Sequence, residues 1–155
     1  MINRDNIREY AMAAFIRYFK LGCPSRSDYE AQIKRVAGRK YSGEDYEREL
    51  RRSEPLLLDI DAVDKTLRYL RGEISPAELT IDMQAPQNGP CIADAICSIY
   101  AGMCREKPSL VRMVDRVRRY ATTAAYADER TVYRWLKRGC RIFAHIRGLV
   151  LDNND

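Results

Sequence analysis

Positively charged side chains recur at helical spacing near the end of the chain. Counted from the first of them, the others stand four, seven and eleven positions further on, which gives the set Arg130, Arg134, Lys137 and Arg141. Residues at these offsets lie on one face of an α-helix. A guanidinium donates hydrogen bonds from a planar fork that fits a phosphate or the edge of a guanine. The spacing therefore predicts a cationic helix face that binds a polyanion.

The charge of the chain is concentrated at the same end. Residues 1–107 carry 17 Lys and Arg against 17 Asp and Glu, whereas residues 108–155 carry 10 against 5. The net charge of +5 therefore belongs to the last third of the chain. A neutral body joined to a basic module indicates a polyanionic partner for that module. An ordinary solvated, arginine-rich surface is the alternative, and it explains the segregation less well.

The helix that carries these cations has a capped start and an apolar side. Asp128 is a favourable N-cap, and Glu129 complements the positive end of the helix dipole. Gly148 is the expected stop. The buried seam is predicted at three- and four-residue spacing as Val132, Leu136, Cys140 (or Gly139), Phe143 and Ile146. Trp135 is expected to pack beneath the helix, with contact to a sugar-phosphate chain as its alternative role.

A shorter helix precedes this one. The stretch RVRRYATTAAYA (116–127) predicts a small-residue helix from Val117 to about Ala124, followed by a turn at Ala125-Tyr126-Ala127. Small residues allow a second helix to approach closely, as in a helix-turn-helix, where two short helices cross at a steep angle. The two helices together therefore have the layout of such a motif.

The stretch YATTAAYADERTVYRWLKRGCRIFA (120–144) resembles the helix-turn-helix of the fourth region of bacterial sigma factors. It is also similar to phage late-gene activators of the ArpU and RinA type. Ala121 stands at the small-residue position of the first helix, Asp128 at the cap, and Thr131-Val132 at the Thr-Val pair of those families. The families usually have glycine in the turn, where this chain has Ala125-Tyr126-Ala127. Because a left-handed tyrosine is strained, we expect a longer turn or a different angle between the helices.

The resemblance implies a DNA-binding transcriptional regulator, sigma-like and phage-derived, whose partner is double-stranded DNA. Val132 and Leu136 would hold the recognition helix to its partner helix. The candidates for base contact are Arg130, Thr131, Tyr133 and Arg134. The candidates for phosphate contact are Arg118, Arg119, Lys137, Arg138 and Arg141. By the same resemblance the rest of the chain would touch RNA polymerase or a second copy in a homodimer, and the whole chain is similar in style to short prophage-associated proteins of Gram-positive gut bacteria.

The rest of the chain shows helical periodicity and no alternating strand pattern. The predicted fold class is therefore all-α, a multi-helix bundle with a C-terminal helix-turn-helix. Helices are expected over about 5–21, 27–38, 42–52, 53–70 (with Pro55 in its first turn), 75–83, 91–105 and from Pro108 onward. Inward-facing residues are expected to include Ile7, Ala11, Ala14, Phe15, Tyr18, Leu21, Tyr29, Ile33, Val36, Leu57, Ile60, Val63, Leu67, Leu70, Ile92, Ala95, Ile96, Ile99, Met103, Val111, Val114 and Val117.

The best candidate for a boundary is QAPQNGP (84–90), with two prolines and Asn-Gly in seven residues. It would separate a helical body, residues 1–83, from a C-terminal module, residues 91–155, with the helix-turn-helix over about 117–148. One compact domain is the alternative, since 155 residues suffice for a single core.

Sites for chemistry other than binding are weakly supported. Cys91, Cys97 and Cys104 form no Cys-x-x-Cys pair, so we expect buried free thiols and no metal. His145, the sole histidine, is expected to be a partly buried structural residue without a positioned acid. Acidic pairs among Asp59, Asp61 and Asp64 favour a helix surface over a metal site. We therefore expect neither enzymatic activity nor a cofactor.

The composition further narrows the class of protein. A hydrophobic fraction of 46% with no long apolar run predicts a folded chain without a membrane span. Five cysteines without a pairing pattern, and an N-terminus without a secretory signal, favour the cytoplasm. The alternative function is a helical protein-interaction or DNA-packaging protein, for example one similar to a small terminase, that binds nucleic acid non-specifically.

Overall fold

The computed structural model describes residues 4–40, 43–79, 85–105 and 112–149, and these residues form helices and turns without a strand. The predicted all-α class is therefore confirmed. The α-helices are α1 (Arg4–Lys20), α2 (Arg26–Lys40), α3 (Gly43–Leu70), α4 (Pro76–Leu79), α5 (Gly89–Arg105), α6 (Met113–Tyr120) and α7 (Glu129–Arg147). A single π-helical turn, Ala121–Ala125, extends α6 toward α7.

Local signals account for several helix ends. The predicted capping box before α4 is present: the Glu78 N–H donates to Ser75 Oγ at 3.4 Å, and the Ser75 N–H donates to Glu78 Oε2 at 3.3 Å. The expected continuation of this helix beyond residue 79, and the start expected at Pro108, lie outside the described residues. Gly148 adopts the left-handed backbone, with φ of +81°, and ends α7 as expected.

The chain between residues 43 and 70 forms one continuous helix, so the predicted division at Ser53 is wrong. Pro55 is exposed within that helix, where its ring faces away from the packed side. Helix α2 packs along α3. Arg26 joins the two helices through two hydrogen bonds to the Glu54 carboxylate, at 2.8 and 3.0 Å. Tertiary packing thus outweighs the local cost of the proline.

Helix α7 lies at the centre of the fold, in contact with α1, α3 and α5. Aromatic rings from three of these helices meet there: Phe15 stacks on Tyr100 with ring centres 5.7 Å apart, and Phe143 lies 5.5 Å from Phe15. All three side chains are almost fully buried. The core cluster contains residues from both sides of the 84–90 segment, including Phe15 before it and Phe143 after it.

Close approach of α5 to α7 depends on Gly139. A Cβ at this position would lie 2.5 Å from the Ile96 Cδ1 atom. The absence of a side chain therefore lets the two helix surfaces pack directly, with Ile92 and Ile96 buried against α7. The sequence leaves Gly139 and Cys140 as alternatives for one position in the buried seam, and both residues are buried.

One buried polar group joins α1, α3 and α7. Asp59 Oδ1 accepts a hydrogen bond from the Tyr10 hydroxyl at 2.7 Å and one from Arg147 Nε at 2.8 Å. Asp59 is 8% exposed, so its charge is stabilised by this pairing and hydrogen bonding. Its expected place on a solvated helix surface is therefore wrong, because the end of α7 covers it.

Three residues expected to face inward are exposed instead: Leu21 at 37%, Val36 at 58% and Val114 at 45%. Leu21 follows the last turn of α1, where the chain turns away at Gly22. Val36 lies on α2, which packs mainly on α3. Only the side of α2 that faces α3 is therefore covered. Val114 occupies the first turn of α6, whereas Val117 takes the inward position. Met103 is half-buried, and Val111 lies outside the described residues.

The buried Cys140 thiol makes the stability of the fold sensitive to alkaline pH. Burial raises the pKa of this thiol from its ordinary value of 9.0 to about 11. A raised pKa in the folded state stabilises the protein fully below pH 9.0, and this contribution is lost as the pH rises toward 11. We expect the melting temperature of the native protein to fall more steeply over this interval than that of Cys140→Ala.

Thermal melts across the interval test this expectation, with Cys91→Ala as the matched control because Cys91 is exposed. The control should follow the native profile, apart from a constant offset. Equal slopes of melting temperature against pH for the native protein and Cys140→Ala would contradict the raised pKa of the Cys140 thiol. Burial also raises the pKa of Tyr18, and this contribution is the same in all three proteins. Burial and its interaction with Cys140 raise the pKa of Tyr100, so Cys140→Ala changes the titration of both groups and the difference in slope belongs to the Cys140–Tyr100 pair.

Candidate nucleic-acid interface

The start of α7 is built as the sequence predicts. Asp128 has an extended backbone, and its carboxylate accepts a hydrogen bond from the Thr131 N–H at 2.7 Å. This backbone donor lowers the pKa of Asp128, and the nearby positive charges of Arg134 and Arg130 lower it further. The predicted N-cap is therefore confirmed, and it fixes the first turn of the helix that carries the cations.

The connection between α6 and α7 contains the left-handed tyrosine itself. Tyr126 has φ of +50° and ψ of +42°, and its N–H donates to the carbonyl of Ala121. The Ala127 N–H donates to the same carbonyl at 3.2 Å. The expectation that a longer turn or a changed angle would spare the tyrosine this conformation is therefore wrong. Helix α6, which precedes this turn, starts at Met113 rather than at the predicted Val117, and the π turn continues it to Ala125.

Threonine side chains stabilise this π turn. The Thr123 hydroxyl donates to the carbonyl of Arg119 at 2.6 Å, and the Thr122 hydroxyl donates to the carbonyl of Arg118 at 3.0 Å. Such bonds compete with the regular backbone pattern and bend helices. These two threonine bonds account for the wide π-helical turn at the end of α6.

Helix α6 is anchored chiefly to α5. The Tyr120 hydroxyl donates to Asp94 Oδ2 at 2.6 Å. Arg116 is only 8% exposed, and its Nη1 atom lies close enough to Gly102 that a Cβ there would be 2.8 Å away. Helix α5 packs against both α6 and α7. Helices α5, α6 and α7 therefore form a three-helix unit with α5 as the common support.

All five cations on the outer side of α7 are exposed: Arg130, Arg134, Lys137, Arg138 and Arg141. We call this set the basic ridge. Within the described parts of the chain, no carboxylate lies within ion-pair distance of any of them. The opposite side of α7 is fully buried, with Val132 at 0% and Phe143 at 0% exposure. The predicted seam is thus confirmed along α7, except that Ile146 is half-buried.

The other predicted contact residues differ in their accessibility. Tyr133 is 38% exposed beside the ridge, and Thr131 is half-buried. Arg119 is exposed. Arg118 is exposed as well, but its Nε atom lies 3.0 Å from Glu129 Oε1. Sequence patterns did not reveal this pair, because the two residues belong to different helices that meet only after the chain has turned.

Two grooves flank the ridge. The first, of about 650 Å³, is lined by Thr131, Arg134, Trp135 and Arg138 of α7 and faces the segment Pro86–Asn88 with Ile92. None of these lining residues is acidic. The carboxamides of Gln87 and Asn88 were not predicted as part of the site, because only the fold brings the start of α5 beside α7. Trp135 is half-buried and packs against the core, in agreement with its expected packing role.

The second groove, of about 680 Å³, lies on the other side of the ridge. Tyr133, Leu136, Lys137 and Cys140 form its α7 side, and Arg8, Glu9 and Met12 of α1 form part of the opposite wall, with Tyr100 and Met113. The ridge therefore stands between two depressions, which leaves its guanidinium groups accessible from both sides.

The remaining candidates do not assemble into a site. All five cysteines are free, and among the described residues no three His, Cys, Asp or Glu side chains are grouped to hold a metal ion. Cys97 and Cys104 are half-buried, but Cys91 is exposed, so the expectation of burial is wrong there. His145 is also exposed, because it falls on the outer side of α7 rather than in the seam.

Comparisons with protein-family models, curated proteins and solved structures give no match to this chain. Among the described residues, no helix combines the length and the apolar character that a membrane crossing requires.

Removal of the cap should loosen the start of the basic ridge. We expect Asp128→Ala to lower the melting temperature by about 2–4 °C, whereas Asp128→Asn should retain most of the stability because asparagine also caps helices. Since the pKa of Asp128 is lowered in the folded state, the stability that its carboxylate adds to the native protein is present above pH 3.8 and is lost as the pH falls further. Thermal melts at neutral and acidic pH check both statements, and equal melting temperatures for all three proteins at neutral pH would contradict the role of the cap.

Proposed function

We propose that the protein is a DNA-binding transcriptional regulator that places α7 in the major groove of double-stranded DNA. The observation that carries this proposal is the basic ridge, five exposed cations on a helix whose opposite side is buried. An α-helix fits the major groove, and side chains near its N-terminus reach the base edges. The eleven positions from Arg130 to Arg141 span about 17 Å along the axis, enough to cross the groove.

The succession of α6, its π-helical turn and α7 supports a helix-turn-helix interpretation. Residues 113–125 form the first helix and its π-helical end, a short turn follows, and α7 begins at Glu129. Helix α5 supports both, as the additional helix does in three-helix variants of this motif. In this arrangement the first turns of α7 face the bases, and the α5 start faces the neighbouring backbone.

The charges along α7 divide into two proposed roles. Arg130 and Arg134, in the first two turns, would donate paired hydrogen bonds to guanine, with Thr131 and Tyr133 beside them. Lys137, Arg138 and Arg141 lie further from the N-terminus and would bind phosphates. The first groove would admit the sugar-phosphate chain next to Arg134 and Arg138, where Gln87 and Asn88 add neutral donors. Arg118 and Arg119 would add phosphate contacts from α6, although Arg118 must then share its charge with Glu129.

A second candidate is a DNA-packaging or interaction protein that binds the nucleic-acid backbone without reading bases. The burial of α7 between α1, α3 and α5 favours it, because the supporting helices limit how deeply the C-terminal half of α7 enters a groove. A base reader should prefer one duplex over random DNA by about 4 kcal/mol or more, whereas a backbone binder should show no preference and a steep loss of affinity with salt.

Two ridge variants separate these functions. Arg134→Ala should cost about 1–3 kcal/mol of binding free energy on the preferred duplex and relax the preference at one position. Lys137→Ala should weaken binding to every duplex alike and reduce the salt slope by about 1. Both side chains are exposed, so the fold is unaffected.

The measurement is selection of bound genomic fragments by the purified native protein, followed by titration of selected and random duplexes at several salt concentrations. Equal losses on every duplex for both variants would favour the backbone binder. No duplex binding by the native protein at low salt would contradict both candidates and leave a protein partner for the basic ridge.

A further inference from the structure

Tyr126 combines an exposed side chain with a left-handed backbone. Its side chain is 86% exposed, and its backbone is left-handed, with φ of +50°. Among the described residues other than glycine, only Cys23 shares a positive φ. A left-handed conformation is costly for a residue with a bulky side chain, and glycine or asparagine would relieve it. The fold requires the backbone conformation at this position but not the aromatic ring.

The backbone around Tyr126 leaves its conformation little freedom. Its N–H and that of Ala127 both donate to the carbonyl of Ala121, and Asp128 fixes the next helix through Thr131. These bonds fix the backbone on both sides of Tyr126, and its side chain is exposed at the turn. No hydrogen bond or ring contact joins the Tyr126 side chain to the described remainder of the protein. Strained residues that persist in this way are concentrated at binding sites and switches.

The position of Tyr126 relates it to the basic ridge. It lies four residues before Arg130, at the end of α7 that would face the bases. In helix-turn-helix docking the helix before the recognition helix crosses the DNA backbone, so the turn that joins the two lies near the edge of the groove. A tyrosine is suited to that place because its ring packs against sugar and its hydroxyl donates to a phosphate oxygen without adding charge.

We infer that Tyr126 is a DNA contact residue, with its ring against a deoxyribose and its hydroxyl donating to a phosphate at the edge of the major groove. This inference rests on the proposed function. It adds to the ridge a neutral contact that the charge pattern does not reveal, and it gives a role to a tyrosine whose backbone conformation favours glycine.

Three substitutions at Tyr126 test the inference. Tyr126→Gly and Tyr126→Asn both accept the left-handed backbone, so neither should have a melting temperature below that of the native protein. Both should lose about tenfold in affinity for duplex DNA, the size of a lost hydrogen bond to a charged group. Tyr126→Phe should lose less, since it keeps the ring.

Salt dependence distinguishes this contact from those of the ridge. Because tyrosine is neutral, Tyr126→Gly should leave the slope of affinity against salt unchanged, whereas Lys137→Ala should reduce it. A structural defect in the turn would instead lower the melting temperature and alter the slope through displacement of α7.

The experiment measures duplex affinity and thermal melts for the native protein, the Tyr126 variants and Arg134→Ala. Loss of affinity in both Tyr126→Gly and Arg134→Ala, with intact melting temperature, supports the inference. Loss in Arg134→Ala but native affinity in Tyr126→Gly overturns it and leaves the proposed function standing. Absence of duplex binding by the native protein at low salt overturns both.

Discussion

The burial of one side of α7 is the constraint on which the rest of the structure depends. Val132, Leu136, Phe143 and the Gly139 contact lock this helix among α1, α3 and α5. The same helix carries the basic ridge on its other side. Its rotation is therefore fixed by the core, and the cations cannot turn away from solvent without exposing a large apolar surface. Core packing and presentation of charge are thus two consequences of one amphipathic helix.

Polar contacts at both ends of α7 complete this placement. At the start, Asp128 caps the helix and Glu129 pairs with Arg118 of α6. At the end, Arg147 binds the buried carboxylate of Asp59, which also accepts from Tyr10. The exposed pair with Arg118 contributes little to stability, whereas the loss of one partner from the buried group would leave an uncompensated charge. Of these two polar contacts, the buried one at the end of α7 therefore contributes more to the placement of the helix than the exposed one at its start.

Periodicity predicted what depends on a single helix, and it failed where several helices meet. The cap at Asp128, the seam through Phe143 and the exposed cations all follow from spacing along α7. The sequence did not show that two of the basic residues, Arg116 and Arg147, are turned inward, so the charge count overstated the exposed positive surface. The continuous α3 was missed because a proline and a capping serine are local signals, whereas the packing of α2 on α3 and the Arg26–Glu54 contact beside the proline are not. The wall of the first groove, Pro86–Asn88, was missed for the same reason.

The proposed function requires that duplex DNA binds to the outer side of α7. Chemical-shift mapping of the isotope-labelled protein with a random-sequence duplex at low salt tests it directly, because the method locates the contact surface without knowledge of the target sequence. We expect the shifted backbone amides to cluster at residues 126–141 and at the start of α5. Shifts confined to α1, α2 and α3, or none at all, would contradict it.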